Sequence, residues 1–557
     1  MMNKYCCLII LYFICRICEA QTPDWEWARS AVNYSSIALA IGEGIDVASD
    51  ASGNAYVTGW FQNDSISFGS ITLFCQNPKG YYTFVTKYDS SGNVLWANKS
   101  GGTGVGLANS IATDISGNVY ITGMYDSSYI SFGNDTLNYN GNNIFLTKYD
   151  SSGNVLWAKN AGGTSVNAVS NSVATDVYGN VYITGFFGSS TMIFDSDTLI
   201  NNGLYNIFTA KYDSTGNVLW AKSAQGSSYD LSYSVASDTL GNSYITGYFA
   251  SPFIVFDTDT LFNSGPFNTI FIAKYDVSGN IVLAKSSVGG GGNIGRSIVT
   301  NSSGDIYIAG NYNSTPIIFG SDTLLYIGNN NNTFFVKYDM IGNVLWAKSI
   351  TEAQPYKIIL DSADNVYMTG NMGYPGMPIT FDSLTLQLIP GSTDPMFVAK
   401  FDSSGNVLWA KALQSGGDDH NGSALGPNGS LYLTSDYYNV NPFILGCDTL
   451  ILTGQEDIFV GRLGYNACQD TIVAVYDNQQ VDNIVLFPNP FNANLNVRTV
   501  DNQQSVIMIY DILSKKLLQQ TFTNSVSLNT KQFENGIYIY EVRNNNGVIK
   551  KGKIVKN

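Results

Sequence analysis

One ten-residue phrase returns along this chain at nearly constant spacing, and the repetition constrains the fold more than any other feature. The phrase Tyr-Asp-Ser-Ser-Gly-Asn-Val-Leu-Trp-Ala recurs with small changes, at steps of 61 or 63 residues, from Tyr88, Tyr149, Tyr212, Tyr275, Tyr338 and Phe401. A second phrase, Asp-Ile-Ser-Gly-Asn-Val-Tyr-Ile-Thr-Gly and its variants, begins at Asp50, Asp114, Asp176, Asp238, Asn301, Asp361 and Gly426. A fixed period of this size indicates an array of similar supersecondary units, here seven.

Each unit has the pattern of four short strands joined by tight turns. In residues 109–165 the β-prone segments are 110–114, 119–123, 143–149 and 155–159, and Gly-Asn pairs occupy the turns. Glycine supplies the positive φ that such hairpin turns require. No helical periodicity occurs in the repeat. Four antiparallel strands repeated radially predict the blades of a β-propeller. A solenoid is the alternative, and it would need capping units at both ends.

The two ends of the repeat region complement each other. The seventh unit has three strand segments, at 423–426, 430–434 and 457–463, and lacks the fourth. The missing phrase lies near the N-terminus, where Trp-Glu-Trp-Ala-Arg-Ser at 25–30 matches Val-Leu-Trp-Ala-Lys-Ser. We therefore predict an all-β fold in which residues 21–464 form a seven-bladed β-propeller. Its N-terminal strand would complete the last blade, which closes the ring and removes free sheet edges.

The N-terminus has the pattern of a secretory signal peptide over residues 1–20. Lys4 precedes the apolar run 6–14, and Ala20 offers a small residue for cleavage before Gln21. No segment has the roughly 20 apolar residues that a transmembrane helix needs. The formal net charge of −15 argues against a nucleic-acid partner. Beyond the signal peptide, Cys75, Cys447 and Cys468 remain, and their spacing leaves open whether two of them, such as the last pair, form a disulfide.

The repeat also separates scaffold positions from candidate binding positions. Recurrent tryptophans in the fourth strands are expected to fill the gaps between blades. The position four residues before the second phrase is mostly small, which suits an innermost strand around a central channel; its residues are Asp46, Ser110, Ser172, Ser234, Ser297, Lys357 and Gly422. The links between second and third strands and between units vary most, and they share one face, the long-loop face, where a ligand would bind. The candidate binding residues at the channel mouth and in these loops are Asp46, Lys357, Asp418, Asp419 and His420.

Few residues have the pattern of a metal or catalytic site. The pairs Asp195/Asp197 and Asp257/Asp259 resemble part of a calcium loop, although Ca²⁺ takes six to eight oxygen ligands. The alternative is a small hairpin in which the aspartate caps the turn. His420 is the only histidine, whereas zinc sites use three or four protein ligands. We find no nucleophile elbow, phosphate loop or dinucleotide motif. No cofactor is therefore predicted, and calcium is the one metal that the pattern suggests.

The repeat ends before a polar linker at 465–483 and a tail at 484–557. The tail has short alternating strands with turns every 8 to 14 residues, which predicts a small β-sandwich. It resembles the type A C-terminal sorting domain of the type IX secretion system of Bacteroidota. The matching motif residues are Pro488, Asn489, Pro490, Gly536, Tyr538, Lys550 and Lys551. This resemblance implies export across the outer membrane by the type IX machinery. The repeats similarly resemble the bacterial β-propeller repeat called SBBP.

Two functional hypotheses follow from these features. The first is a secreted or surface-attached, monomeric, non-enzymatic scaffold for binding or adhesion, with a glycan or protein ligand on the long-loop face. The second is a secreted polysaccharide hydrolase or lyase that uses carboxylates at the channel mouth, with Asp46, Asp418 and Asp419 as candidates. Glycosidic catalysis uses two carboxyl groups on either side of the bond, so the distance between carboxylates distinguishes the hypotheses.

Overall fold

The structure is a computed structural model whose chain divides into two compact units, Met1–Asp470 and Thr471–Asn557. It describes residues 22–465 and 484–556, apart from 35–40, 78, 103, 140–142, 164–167, 266, 290–291, 314–315, 328–330, 374–376, 383, 388, 390–394, 414–421, 439–441, 454, 488–490, 492, 500–503, 512–514 and 545–546. The predicted signal peptide and nearly all of the predicted linker lie outside the described residues.

Every regular element among the described residues is a β-strand. In the first unit the strands are β1 (Asp24–Tyr34), β2 (Ile41–Ser49), β3 (Ala55–Gln62), β4 (Ser65–Phe68), β5 (Ile71–Phe74), β6 (Tyr82–Tyr88), β7 (Val94–Lys99), β8 (Val105–Thr113), β9 (Val119–Asp126), β10 (Tyr129–Phe132), β11 (Asp135–Asn138), β12 (Asn143–Tyr149), β13 (Val155–Gly162), β14 (Ala168–Thr175), β15 (Val181–Phe187), β16 (Thr191–Phe194), β17 (Asp197–Ile200), β18 (Asn206–Tyr212), β19 (Val218–Ala224), β20 (Asp230–Ser237), β21 (Ser243–Phe249), β22 (Phe253–Phe256), β23 (Asp259–Phe262), β24 (Thr269–Tyr275), β25 (Ile281–Ser286), β26 (Ile294–Thr300), β27 (Ile306–Tyr312), β28 (Ile317–Phe319), β29 (Asp322–Leu324), β30 (Asn332–Tyr338), β31 (Val344–Ile350), β32 (Ala353–Leu360), β33 (Val366–Met372), β34 (Ile379–Phe381), β35 (Leu384–Leu386), β36 (Met396–Phe401), β37 (Val407–Leu413), β38 (Gly422–Leu425), β39 (Leu431–Tyr437), β40 (Phe443–Leu445), β41 (Asp448–Leu450) and β42 (Asp457–Gly464).

These strands pair into antiparallel four-stranded sheets, one for each sequence unit in the part of the chain described. We number them in chain order as sheet I (β2, β3, β6, β7), sheet II (β8, β9, β12, β13), sheet III (β14, β15, β18, β19), sheet IV (β20, β21, β24, β25), sheet V (β26, β27, β30, β31), sheet VI (β32, β33, β36, β37) and sheet VII (β38, β39, β42, β1). A short hairpin, such as β10–β11, lies between the second and third strands of each unit.

The repeated phrase encodes the turn between the third and fourth strands. The Asp150 carboxylate accepts hydrogen bonds from the backbone N–H groups of Ser152 and Asn154, both at 2.9 Å, and from the Asn154 side chain at 2.8 Å. Gly153 adopts φ 88°, a left-handed conformation that costs glycine nothing. The same bonds recur at the aligned turns, for example around Asp276, so the phrase is a self-contained turn sequence.

The recurrent tryptophans join neighbouring sheets. The indole N–H of Trp157 in sheet II donates to the carbonyl of Ser214 in the turn of sheet III, at 3.2 Å. A Cβ atom on the turn glycine, Gly216, would lie only 3.0 Å from this indole, so the glycine is required for packing as well as for its φ. Equivalent hydrogen bonds are donated by Trp27, Trp96 and Trp220. These tryptophans have a structural role, because their rings fill the wedge-shaped space between neighbouring sheets.

Strand β1 provides the fourth strand of sheet VII although it lies at the opposite end of the repeat region. Residues from Asp24 to Ala31 pair antiparallel with β42. The last residues of β1, from Ala31 to Tyr34, pair with β4 in the hairpin of the first unit. Strand β1 therefore contributes backbone hydrogen bonds to both the last and the first sequence units.

The second unit contains the strands β43 (Ile484–Phe487), β44 (Asn494–Thr499), β45 (Ser505–Tyr510), β46 (Lys516–Phe522), β47 (Ser525–Asn529), β48 (Gly536–Asn544) and β49 (Gly547–Lys556). They form two antiparallel sheets, ordered β43-β44-β47 and β46-β45-β48-β49. One buried cluster includes Phe491, Leu495, Ile507, Ile509 and Val542, so residues of both sheets contribute to a common core.

Candidate binding channel

The first strands of sheets I to VII line a cavity of about 1050 Å³. Consecutive first strands are in contact, in the order β2, β8, β14, β20, β26, β32 and β38, and β38 in turn contacts β2. Ligand pockets in proteins typically measure about 300–1,000 Å³, so the volume of this channel lies at the upper end of that range.

A belt of hydrogen bonds runs around the channel at the position that the sequence marks as small. The hydroxyl of Ser110 accepts the backbone N–H of Val173 in the next sheet, at 3.3 Å. The hydroxyls of Ser172, Ser234 and Ser297 accept equivalent N–H groups at 3.2, 3.2 and 3.1 Å. A small side chain with an acceptor oxygen satisfies an otherwise unpaired N–H between two crowded strands, which explains why serine recurs here.

The two charged members of this position, Asp46 and Lys357, form an ion pair across sheet VII. Lys357 belongs to sheet VI and Asp46 to sheet I, and their Nζ and Oδ1 atoms are 2.5 Å apart. Between them lies Gly422 of sheet VII, where a Cβ would be 2.5 Å from the Asp46 Cα. The lysine therefore passes a residue that has no side chain. Two of the five candidate binding residues are thus brought together, while Asp418, Asp419 and His420 lie outside the described residues.

The Asp46 carboxylate is already saturated with hydrogen-bond donors. Its Oδ1 accepts from Lys357 and from the backbone N–H of Val47, at 2.9 Å for the latter. Its Oδ2 accepts from the hydroxyl of Ser110 at 3.1 Å and the backbone N–H of Ile111 at 3.2 Å. A carboxylate offers about four acceptor sites, and these four hydrogen bonds occupy them, so Asp46 has no acceptor site left for a ligand.

Three channel residues that were not predicted from the sequence, Tyr233, Arg296 and Tyr356, lie one position before the belt. In six of the sheets the residue at this position forms a β-bulge; these residues are Ile45, Asn109, Asn171, Tyr233, Arg296 and Tyr356. Asn109 and Asn171 donate to carbonyls of the next sheet, at 3.0 and 2.8 Å. The repeat is broken at the next three bulges, where Tyr, Arg and Tyr follow one another in sheets IV to VI. A search of the aligned units one residue upstream of the small position would have found them.

The guanidinium of Arg296 lies between two tyrosine rings. Its Cζ is 5.5 Å from the ring centroid of Tyr233 and 5.7 Å from that of Tyr356. Its Nε donates to the side-chain oxygen of Asn311 at 3.1 Å. A cation within about 6 Å of an aromatic centroid is attracted to the ring face by about 0.5–2 kcal/mol per aromatic partner. We call these three side chains the Tyr–Arg–Tyr stack.

Tyr233 of this stack and the neighbouring Tyr248 are neutral at physiological pH. Burial raises the pKa of Tyr233, and the positive charge of Arg296 opposes this effect in part. Burial likewise raises the pKa of Tyr248, whose ring centroid is 6.0 Å from that of Tyr233, to about 12. Their hydroxyl groups therefore remain protonated and can act as hydrogen-bond donors or acceptors.

The predicted calcium residues lie in two of the short hairpins. The Asp197 carboxylate accepts the backbone N–H of Ala221 in the fourth strand, at 3.0 Å, instead of capping its own turn. Asp195 and Asp257 adopt φ 48° in the hairpin turns, and Asp257 forms an ion pair of 3.5 Å with Lys222. Across the described residues, no group of three or more His, Cys, Asp or Glu side chains is placed to hold a metal ion. The recurrent aspartate fastens the hairpin to the outer strand, as Asp135, Asp322 and Asp448 also do.

The described residues of the tail motif have structural contacts in the second unit. The hydroxyl of Tyr538 donates to the carbonyl of Glu534 at 2.6 Å, and its ring packs 5.0 Å from Phe533. Gly536 begins β48, and Lys550 lies opposite Val542 in the sheet. Lys551 forms an ion pair of 2.8 Å with Glu541. Pro488, Asn489 and Pro490 lie outside the described residues.

Two of the three cysteines beyond the predicted signal peptide, Cys75 and Cys447, lie in the described part of the chain. Cys75 carries a free thiol, and burial raises its pKa to about 12. Cys447 is exposed in a hairpin turn, whereas Cys468 lies outside the described residues. The suggested pair between Cys447 and Cys468 therefore stays a prediction.

Comparison with known families identifies the tail. Residues 485–557 match the family described as the secretion system C-terminal sorting domain. The sequence is 27% identical over 487 residues to an uncharacterized WD repeat-containing protein, L264, of Acanthamoeba polyphaga mimivirus. That match covers 70% of this chain and only 34% of the length of the viral protein.

Several solved structures align with the chain at low identity. The WD40 domain of Neurospora crassa Pan2 aligns at 9% identity and a TM-score of 0.38, covering 79% of this chain and 97% of that domain. A europium-containing methanol dehydrogenase aligns at 12% identity and a TM-score of 0.32, covering 79% and 93% of the two chains. A protein of unknown function from Dyadobacter fermentans aligns at 8% identity and a TM-score of 0.34, covering 78% and 99%.

The sorting domain decides where the protein acts. A C-terminal domain of this family directs secretion by the type IX system, so the protein is exported to the cell surface or beyond it. Within the described part of the chain, no helix is long and apolar enough to cross a membrane.

Proposed function

We propose that this protein is a closed seven-bladed β-propeller of the SBBP type that binds a ligand at the cell surface without catalysing a reaction. The type IX sorting domain accounts for its export, and the channel supplies its binding site. The observation that carries this proposal is the channel itself, which all seven first strands line and in which the repeat is broken by Lys357, Asp46 and the Tyr–Arg–Tyr stack.

Three observations support ring closure. The contact between β38 and β2 joins the innermost strands of the last and first sheets. Strand β1 pairs with both β42 and β4. The Lys357–Asp46 ion pair spans the same junction near the axis. Contacts at the inner and outer parts of one junction favour a closed ring over an open solenoid, whose ends would remain unpaired.

The binding surface in this proposal is the long-loop end of the channel. The bulged residues precede the small belt in six of the first strands, so they lie toward the links that enter from the preceding unit. Rigid sheets that present variable loops and bulged side chains are a common arrangement of recognition sites. A monomer is sufficient in this proposal, because a single chain builds the whole channel.

The rival function, a polysaccharide hydrolase or lyase, requires a carboxylate that can exchange a proton. The four hydrogen bonds that Asp46 accepts make it a structural residue in our proposal. Non-enzymatic binding of a glycan or a protein explains an engaged Asp46 better than catalysis does.

The test applies the purified full chain to a glycan array and, in parallel, to a panel of polysaccharides whose reducing ends and unsaturated products are measured. We expect saturable binding to at least one glycan and no product above that of the buffer. Sustained product formation that is lost in the Asp46→Asn variant would refute the binding scaffold and establish the enzyme. Absence of binding to every glycan would remove the glycan from the proposed ligands and leave a protein ligand.

A further inference from the structure

Arg296 differs from the other described arginines of the first unit in having no ion-pair partner among the described residues. Arg29 pairs with Asp448 at 3.2 Å, and Arg462 pairs with Glu26 at 3.0 Å. Arg296 instead lines the channel and is half-buried. In a chain with a formal net charge of −15, an arginine without a carboxylate beside it is a specific attraction for an anion.

The Tyr–Arg–Tyr stack prepares this arginine for bidentate recognition. The two rings hold the guanidinium plane, and Asn311 takes the Nε–H group. Within the described part of the chain, the terminal Nη1 and Nη2 groups donate no hydrogen bond, and Arg296 lines the channel, so these N–H groups are available to a ligand there. This fork matches the two oxygens of a carboxylate, and little side-chain entropy remains to be lost on binding.

The surrounding wall favours a saccharide as the carrier of that carboxylate. Half-buried Trp60 and Phe186 line the same channel, each with its ring beside that of a tyrosine, Tyr81 at 5.1 Å and Tyr205 at 5.3 Å. The C–H face of a sugar ring packs on aromatic surfaces, and tyrosine hydroxyls can form hydrogen bonds with its hydroxyl groups. A channel of about 1050 Å³ has room for several sugar rings.

We propose that Arg296, held between Tyr233 and Tyr356, binds the carboxylate of a uronic acid residue, so that the ligand of this protein is an acidic polysaccharide. This inference rests on the proposed binding function and specifies its ligand class. It also explains why the bulges of sheets IV to VI carry Tyr, Arg and Tyr, whereas the bulges of sheets II and III carry an asparagine that donates to a carbonyl of the next sheet.

The experiment measures binding of the full chain by isothermal titration calorimetry to trisaccharides of galacturonic, guluronic and mannuronic acid. Each is compared with the same trisaccharide whose carboxyl groups have been reduced to alcohols. We expect at least one acidic trisaccharide to bind about tenfold or more tightly than its reduced form, because a bidentate charge-assisted pair is lost on reduction. We also expect this preference to weaken as salt rises, since an ion pair at a channel mouth is screened.

Variants of Arg296 test whether this residue causes the preference for acidic over reduced trisaccharides. Arg296→Ala should abolish the difference between acidic and reduced forms, and Arg296→Lys should retain only a small part of it, because an ammonium group lacks the fork. Lys285→Ala is the matched control, since it removes one positive charge from an exposed position of β25 and should leave the preference unchanged. Thermal unfolding of each variant verifies the fold. If Arg296→Ala does not fold, the comparison of acidic and reduced ligands on the wild-type chain and on Arg296→Lys still decides the question.

Equal binding of acidic and reduced trisaccharides, or a preference that survives Arg296→Ala in a folded protein, would overturn this inference and leave the proposed binding function intact. Preferential binding of a triglutamate peptide over all uronic acid trisaccharides would likewise overturn it, in favour of a protein ligand. Absence of any ligand on the glycan array would remove the glycan-binding function together with this inference.

Discussion

Replacement of Gly422 by serine is a stringent test of the junction between sheets VII and I. The aligned position carries serine in four other units, at Ser110, Ser172, Ser234 and Ser297. Replacing a residue by the repeat consensus commonly stabilises a protein by about 0.5–2 kcal/mol. On sequence grounds alone, Gly422→Ser should therefore be neutral or stabilising.

The structure predicts the opposite result. A Cβ on Gly422 would lie 2.5 Å from the Cα and 2.9 Å from the carbonyl carbon of Asp46. Both are backbone atoms, so β38 and β2 would have to separate, and the ion pair between Lys357 and Asp46 would have to lengthen. Overpacking at a rigid site costs about 1–3 kcal/mol. We expect the free energy of unfolding of the first unit to fall by that amount.

The assay is denaturant-induced unfolding of the full chain, followed by tryptophan fluorescence, because the indoles lie between the sheets. The transition midpoint should shift to lower denaturant without a change in slope. Gly422→Ala is the internal control. It should cost about as much as the serine variant, because the clash arises from Cβ and not from the hydroxyl. If both variants are as stable as the wild type or more stable, the inner strands do not meet as described, and the argument for ring closure at this point is wrong.

Four further outcomes are expected. Trp220→Ala should cost about 3–5 kcal/mol, because it empties a buried wedge between sheets and removes the indole donor to the Val277 carbonyl; a denaturant titration measures the loss. Burial raises the pKa of Asp230 above its ordinary value of 3.8, so its stabilising contribution is complete below that value and is lost as pH rises through the raised pKa; melting temperature plotted against pH should therefore show a decline in that window that is absent in Asp230→Asn. Burial raises the pKa of Cys75 to about 12, so Ellman's reagent at pH 8 should modify this thiol far more slowly in the native protein than in the unfolded chain, and equal rates would contradict its burial. Deletion of 484–557 should leave the protein inside the outer membrane, as cell fractionation with an antibody would show, and normal surface export of the truncated chain would contradict the role of the sorting domain.

The turns and strands could be predicted from sequence because their determinants are local. In the phrase around Asp150, the carboxylate, the amide that it binds and the glycine with positive φ all lie within five consecutive residues. The match between Trp25–Ser30 and the other fourth strands similarly contained enough information to anticipate the pairing of β1 with β42.

The candidate site was predicted only in part. Asp46 and Lys357 stood out because they replace small residues at one aligned position, and the structure places them in contact. Their partnership was not visible in sequence, since they are 311 residues apart and meet only because Gly422 leaves the space between them open. For the hairpin aspartates the sequence pattern was visible but its interpretation was not. The pattern resembles a calcium loop, whereas in the structure Asp197 accepts a backbone N–H group of the outer strand.

The sequence by itself determined the number of units, the strand order within each unit, the scaffold role of the tryptophans and the export signal of the tail. Each of these follows from short-range patterns that recur. Only the tertiary structure decided which side chains line the channel together. The aligned repeats give the position of the β-bulge, which adds one residue to the strand, but they do not show which side chains of other sheets the bulged residue meets. Arg296, at its bulge, lies between tyrosines of two other sheets, and the binding group that we propose exists only where those three sheets meet.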